Sequence, residues 1–141
     1  MKHKIGLLLC LSTLLTACAG SGGGLRENDL RQEVYLLGEY RIEGTFPEIQ
    51  RALRQHQAAC GNAAIFRMDE RQASYGTLRY ERVKDATWED SILFDLTMLS
   101  SGATVAKAYT YRSGALPEVR AVLASIASPG VCDPQAKSTK E

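Results

Sequence analysis

The chain has 141 residues, with 17 Lys and Arg against 16 Asp and Glu and a formal net charge of +1. That is the length of one domain with one core. The near-neutral balance lacks the basic excess that draws a protein onto nucleic acid or anionic headgroups, so nucleic acid is excluded as a partner on charge.

The chain opens with "MKHK", carrying Lys2 and Lys4, and an apolar run follows from Ile5 to Leu15. A helix needs about 20 apolar residues to span a bilayer core, so this run is too short. A basic start and a short apolar stretch have the pattern of a secretory signal peptide. The run ends in Leu15-Thr16-Ala17-Cys18. This LTAC tetrapeptide resembles the lipobox of bacterial lipoproteins. The resemblance covers the first 18 residues and implies removal of residues 1–17, with Cys18 becoming the acylated first residue. Two or more acyl chains hold a protein on a membrane, where one binds only marginally.

Ala19 follows the cysteine, where an aspartate favours inner-membrane retention in Gram-negative lipoproteins. By that resemblance the expected location is the outer membrane, lipid-anchored on its periplasmic side. Residues 18–29, which contain "AGSGGG", read as the lipidated cysteine and a tether. Six flexible residues of such chain span roughly 12–15 Å. The mature chain would keep 124 residues, with 15 basic and 16 acidic groups. Its membrane partner is therefore reached through the lipid on Cys18 and not through charge.

Once Cys10 leaves with the signal and Cys18 is acylated, Cys60 and Cys132 remain in an oxidising compartment. They are expected to form a disulfide, with two free buried thiols as the alternative.

The folded part is expected over residues 30–132, with a frayed polar tail over 133–141. Leu30 to Leu37 fits a short helix or a strand. "EYRIE" alternates, with Tyr40 and Ile42 on one face of a strand. "TFPEIQRALRQHQAACG" is a helix, with Thr45 and Glu48 in capping-box spacing and Pro47 in the first turn. Ile49, Ala52, Leu53, His56 and Cys60 share its apolar face, and Gly61 stops it. "AAIFRMD" puts Ala64, Phe66 and Met68 on one side, and "YGTLRYERV" aligns Leu78 with Tyr80. "SILFDLTML" aligns Ile92, Phe94, Leu96 and Met98, and "TVAKAYTYR" aligns Val105, Tyr109 and Tyr111. The short Gly-containing turn between the last two strands makes a hairpin. "LPEVRAVLASIAS" is a second helix with Val119, Val122, Leu123 and Ile126 on its apolar face.

The order β-α-β-β-β-β-α predicts an α+β two-layer sandwich, an antiparallel sheet of about four or five strands with two helices on one face. The other sheet face, with Thr77, Arg79, Glu81, Asp95 and Thr97, is expected to be wet, Leu93 and Leu99 being its apolar exceptions. "GTFPEIQRAL" from Gly44 matches "GALPEVRAVL" from Gly114 at an offset of 70 residues. The match fits either two related strand–helix units or two independent uses of the same helix-start residues.

Chemistry is sparse. His56 is the only histidine after the signal, four residues before Cys60. The pair fits a nucleophile with its base or half a metal site, and fits better a core-edge histidine beside a disulfide. Asp69-Glu70, Asp85 and Glu89-Asp90 sit in polar loops and read as solvated surface rather than a glycosidase pair. No G-x-S-x-G, H-E-x-x-H or phosphate loop occurs. No catalytic residue, metal or cofactor is assigned. Trp88, the single tryptophan, is either a lid on the core or a partner contact. The expected function is a non-enzymatic accessory or interaction module of a cell-envelope assembly, partnered by an envelope protein. A binding module for a cell-wall fragment or small ligand is the alternative, and a small hydrolase a weaker one.

Overall fold

A computed structural model describes residues 23–132. Cys18 and the tail over 133–141 lie outside the described residues. The elements in chain order are a single helical turn α1 (Glu27–Leu30), a 3-10 turn (Glu33–Tyr35), β1 (Leu36–Ile42), α2 (Phe46–Cys60), β2 (Ile65–Met68), β3 (Tyr75–Glu81), β4 (Ser91–Met98), β5 (Thr104–Tyr109) and α3 (Leu116–Ala127). The five strands form one sheet in the order β1-β5-β4-β3-β2, each antiparallel to its neighbour. From β1 onward this is the α+β arrangement expected.

The topology has a physical requirement at α2. The chain leaves β1 at one edge of the sheet and re-enters as β2 at the other. Four interstrand steps are about 19 Å, and the 15 residues of α2 give a helix about 22 Å long. Such a helix is long enough to cross the sheet. It begins at Thr45, where the Glu48 carboxylate accepts the Thr45 backbone N–H at 2.7 Å and its hydroxyl at 2.8 Å. These bonds hold the Glu48 carboxyl below its usual range. Helix α2 stops at Gly61, whose φ of 80° is the left-handed cap that glycine adopts without a Cβ clash.

The main core lies between the helices and one sheet face. Ile49 and Leu53 of α2 and Val119 and Val122 of α3 meet Leu78, Ile92, Phe94 and Leu96. Phe94, Ile92 and Leu78 are fully buried. The repeated segments supply equivalent parts: Ile49 and Val119 are both buried core residues, and Gly44 and Gly114 both have positive φ. Their glutamates differ, since Glu48 caps its own helix while Glu118 accepts from Arg112 at 2.9 Å.

Three details depart from the expected pattern. On β5 the residues facing the helices are Ala106 and Ala108, both buried. Val105 and Tyr109 point to the opposite face, as their register with Thr97 and Leu93 requires. Small residues on the core side fit a closely packed helix layer, and the tyrosine fills space elsewhere. Met68 stands at the end of the edge strand β2 and is 54% exposed, although Phe66 of the same strand packs on the core.

The third departure is the largest. The sheet face expected to be wet is partly covered. Residues 25–35, of which those up to 29 were expected to be tether, fold back across it as a strap. Leu30 is fully buried there with Leu93 and Tyr109, and Leu25, Tyr35 and Trp88 pack around them. The cause is in the sheet itself. Leu93 and Tyr109 are paired across β4 and β5 and together make an apolar area that water leaves exposed only at a cost.

Candidate interaction site

The strap is held at three points. The Glu89 carboxylate accepts the Leu25 backbone N–H at 2.5 Å. Arg31 reaches the middle of β4, with Nε 3.0 and 2.9 Å from the two carboxylate oxygens of Asp95. The Arg31 guanidinium also donates to Asn28 at 2.8 Å and to Glu27 at 2.7 Å. Partial burial works against that charge, and the bonds to Asp95 and Glu27 outweigh it, so Arg31 stays protonated more firmly than an ordinary arginine. Finally, the Tyr35 carbonyl accepts the Thr110 N–H at 3.0 Å. The strap thus runs from the start of β4 to mid-sheet and back, then becomes β1.

Trp88 belongs to the same assembly. It is half-buried against the strap cluster, and the Arg79 guanidinium lies 4.0 Å from its ring centroid. Arg79 also donates to the Ala86 carbonyl and to Ser91 Oγ, and pairs with Glu81 at 3.0 Å. Ser91 Oγ in turn donates to the Thr87 carbonyl at 2.7 Å. These bonds fold the loop 82–90 onto the sheet, so that Trp88 is a lid on the second, smaller core.

Beside the strap, the uncovered part of this face forms an open trough of about 980 Å³. Its lining includes Arg31, Arg67, Thr77, Asp95, Thr97 and Lys107, and Lys107 lies 3.8 Å from Glu39. Both signs of charge alternate here on a rigid sheet. Thr77, Asp95 and Thr97, expected on a wet face, do line this trough, whereas Arg79 and Glu81 serve the loop.

A second cleft, of about 480 Å³, lies among the C-terminal parts of α2 and α3 and Tyr80 of β3. His56, Cys60, Val122, Ser125 and Cys132 border it. Cys60 and Cys132 are joined by a disulfide with Cα atoms 5.4 Å apart, as expected. The bridge fastens the end of α2 to the segment that follows α3. His56 is buried, and its Nδ1 donates to the Pro129 carbonyl 3.1 Å away. The thiol that a Cys60–His56 nucleophile pair needs is therefore consumed in the bridge, which corrects that alternative. Ser125 donates to the Val122 carbonyl at 2.7 Å within its own helix.

The acidic loops lie at opposite ends of the sheet, and of their residues Asp69 and Glu70 line the trough with Glu27 and Asp95. Asp69 closes its own turn, accepting the N–H groups of Arg71 and Gln72 at 2.8 and 2.9 Å. Asp85 and Glu89 lie beyond the other end of β3, a strand whose seven residues extend about 20 Å. Inverting glycosidase carboxylates sit no more than about 9.5 Å apart. Among the described residues no group of three or more His, Cys, Asp or Glu is placed to hold a metal ion. No helix among them is long and apolar enough to cross a membrane.

Glu89 makes one testable consequence. Its carboxyl is held below the usual range, first by the Leu25 N–H and then by bonds with the Glu89 backbone and Thr87. A lowered carboxyl contributes stability that is complete above the ordinary glutamate range and lost as pH falls through the lowered value. In acid titrations followed by Trp88 fluorescence, the strap should loosen in that window. Glu89→Gln should flatten this part of the profile; an unchanged profile would show that the Leu25 bond contributes nothing.

No protein-family model matches the chain, and no curated protein matches it in sequence.

Proposed function

We propose that the chain is a lipid-anchored periplasmic lipoprotein that serves as a non-enzymatic accessory module of a cell-envelope assembly. The observation that carries this reading is the LTAC sequence ending at Cys18, seven residues before the point where Leu25 is fastened to the sheet. Acylation at Cys18 would place a rigid domain at the periplasmic surface of the outer membrane.

The fate of the chemical groups supports a binding role. Asp69, Glu89 and Asp95 are engaged in structural hydrogen bonds, His56 is tied to Pro129, and Cys60 is oxidised. The charged trough offers a partner a firm polar floor of sheet residues, which suits a protein surface of mixed charge. The second reading, a small-ligand or cell-wall-fragment module, is favoured by the cleft beside the disulfide, whose size falls in the range of small-molecule sites.

Crosslinking in the native cell, followed by capture through a C-terminal tag and mass spectrometry, tests the accessory role. One envelope assembly should be recovered repeatedly, and Cys18→Ala should abolish its recovery. Lys107→Glu should lower recovery several-fold while leaving the domain folded, since Lys107 is exposed. Recovery that is indifferent to both substitutions would remove this reading and direct attention to ligand binding at the cleft.

A further inference from the structure

The sheet has two unlike ends. At one end lie the turns at 43–45, 69–74 and 99–103, joined by Thr104 Oγ1 donating to Gly44 and the Met98 N–H donating to Ser74, each at 2.8 Å. At the other lie the start of β1, the loop 82–90 and the exit of β5 into α3, held together by the Tyr35–Thr110 bond and by Thr110 Oγ1 donating to the Ser91 carbonyl at 3.1 Å.

Most of the exposed apolar side chains stand at the second end, while Met68 and Tyr75, 54% and 46% exposed, stand at the first. Val34 is 77% exposed, Tyr111 55% and Val83 54%, with Leu36 and Leu116 each at 39%. Tyr35 and Tyr111 stand there with ring centroids 5.6 Å apart. The N-terminal chain emerges at this same end, where Gly24 and Leu25 meet Glu89. Aromatic and apolar side chains together suit the boundary between headgroups and acyl chains.

We propose that this end of the domain lies directly against the lipid surface, with Val34, Leu36, Val83, Tyr111 and Leu116 forming the contact and the trough left open to the periplasm. The proposal rests on acylation at Cys18. Geometry selects the lipid as the occupant. Even fully extended, the seven residues from Cys18 to Leu25 reach at most about 25 Å. The far end of β3 is about 20 Å further along the sheet, so it could meet the bilayer only with that chain drawn almost straight along the domain. The near end meets it at any shorter extension. The strap fastening at Glu89, Asp95 and Thr110 transmits this placement to the whole sheet. Net charge gives no attraction, so contact by apolar side chains is the route left to the domain itself.

The test uses the acylated full-length mature protein in phosphatidylcholine vesicles containing a lipid with a photoactivatable group on its acyl chain. Vesicle flotation is measured first. Failure to float, or flotation unaffected by Cys18→Ala, would overturn the anchoring reading. With anchoring established, irradiation should place lipid adducts on peptides covering 33–37, 82–90 and 110–116. A Val34→Asp, Val83→Asp double variant, altered only at exposed positions, should still float and should lose those adducts at least five-fold. Adducts on 69–75 or 99–103, or on the N-terminal peptide alone, would overturn the orientation while leaving the anchor intact.

Discussion

Replacing Cys60 and Cys132 by alanine is expected to lower the free energy of unfolding by about 4 kcal/mol. The bridge joins residues 72 apart in sequence, and closing a loop of that length restricts the unfolded chain by about that amount at 25 °C in the chain-entropy account. Single domains are stable by only about 5–15 kcal/mol, so the loss would be a large share of the total. The thermal midpoint should fall by roughly 15 °C, at about 4 °C per kcal/mol for a domain of this size. The structure also localises the damage. The bridge is what joins the segment after α3 to the end of α2, and His56 donates to Pro129 inside the closed loop. Amide exchange should therefore rise first over 128–132 and the last turn of α2. Urea unfolding of the oxidised protein and the double variant measures the difference; a change below about 1 kcal/mol would show that the unfolded chain is already compact. Alkylation without reduction should leave both cysteines unmodified in the native protein.

Leu30→Ala is expected to cost about 3 kcal/mol, the middle of the range for emptying a buried leucine site. The residue belongs to a four-residue helical turn, a length at which helix propensity contributes almost nothing to stability. Its value comes from complete burial against Leu93 and Tyr109. The variant should expose Trp88 to solvent quenchers, because the strap, the loop 82–90 and the tryptophan share one cluster. Amides of α2 should be protected nearly as before, since the main core lies on the other sheet face. A cost below about 0.5 kcal/mol would mean that residues 25–30 are attached loosely, which would also remove the rigid link on which the membrane orientation depends.

Leu30 shows why part of this fold is hard to read in sequence. "RENDLRQEV" is polar and has no period, so local pattern assigns its beginning to a tether. Its one buried leucine meets residues more than 60 positions away. Leu93 carries the matching signal. It is an apolar residue at a position where strict alternation calls for a polar one, and its register with Tyr109, which the pairing of β4 with β5 supplies, makes the covered face. The trough is affected in the same way. Thr77, Asp95 and Thr97 are recognisable as one sheet face by alternation, but the wall made by Arg31 exists only because the strap returns across the sheet. For β5 the bulky residues Val105 and Tyr109 gave the stronger hydrophobic signal, while tight helix packing selected the alanines.

Local order was written along the chain. Alternation defined β3 and β4, a glycine-containing turn defined the β4–β5 hairpin, and Thr45, Glu48 and Gly61 marked the limits of α2. These features depend on residues a few positions apart, where backbone sterics and hydrogen bonding act without help from the rest of the molecule. Signal-like residues, the LTAC tetrapeptide and the even cysteine pair are also local or compositional. The tertiary structure decided which strand edges meet, which face of β5 is inward, that the strap closes over Leu93 and Tyr109, and that most exposed apolar groups stand where the N-terminal chain emerges. Each of these depends on burial shared between distant segments, a quantity that no single window of sequence contains.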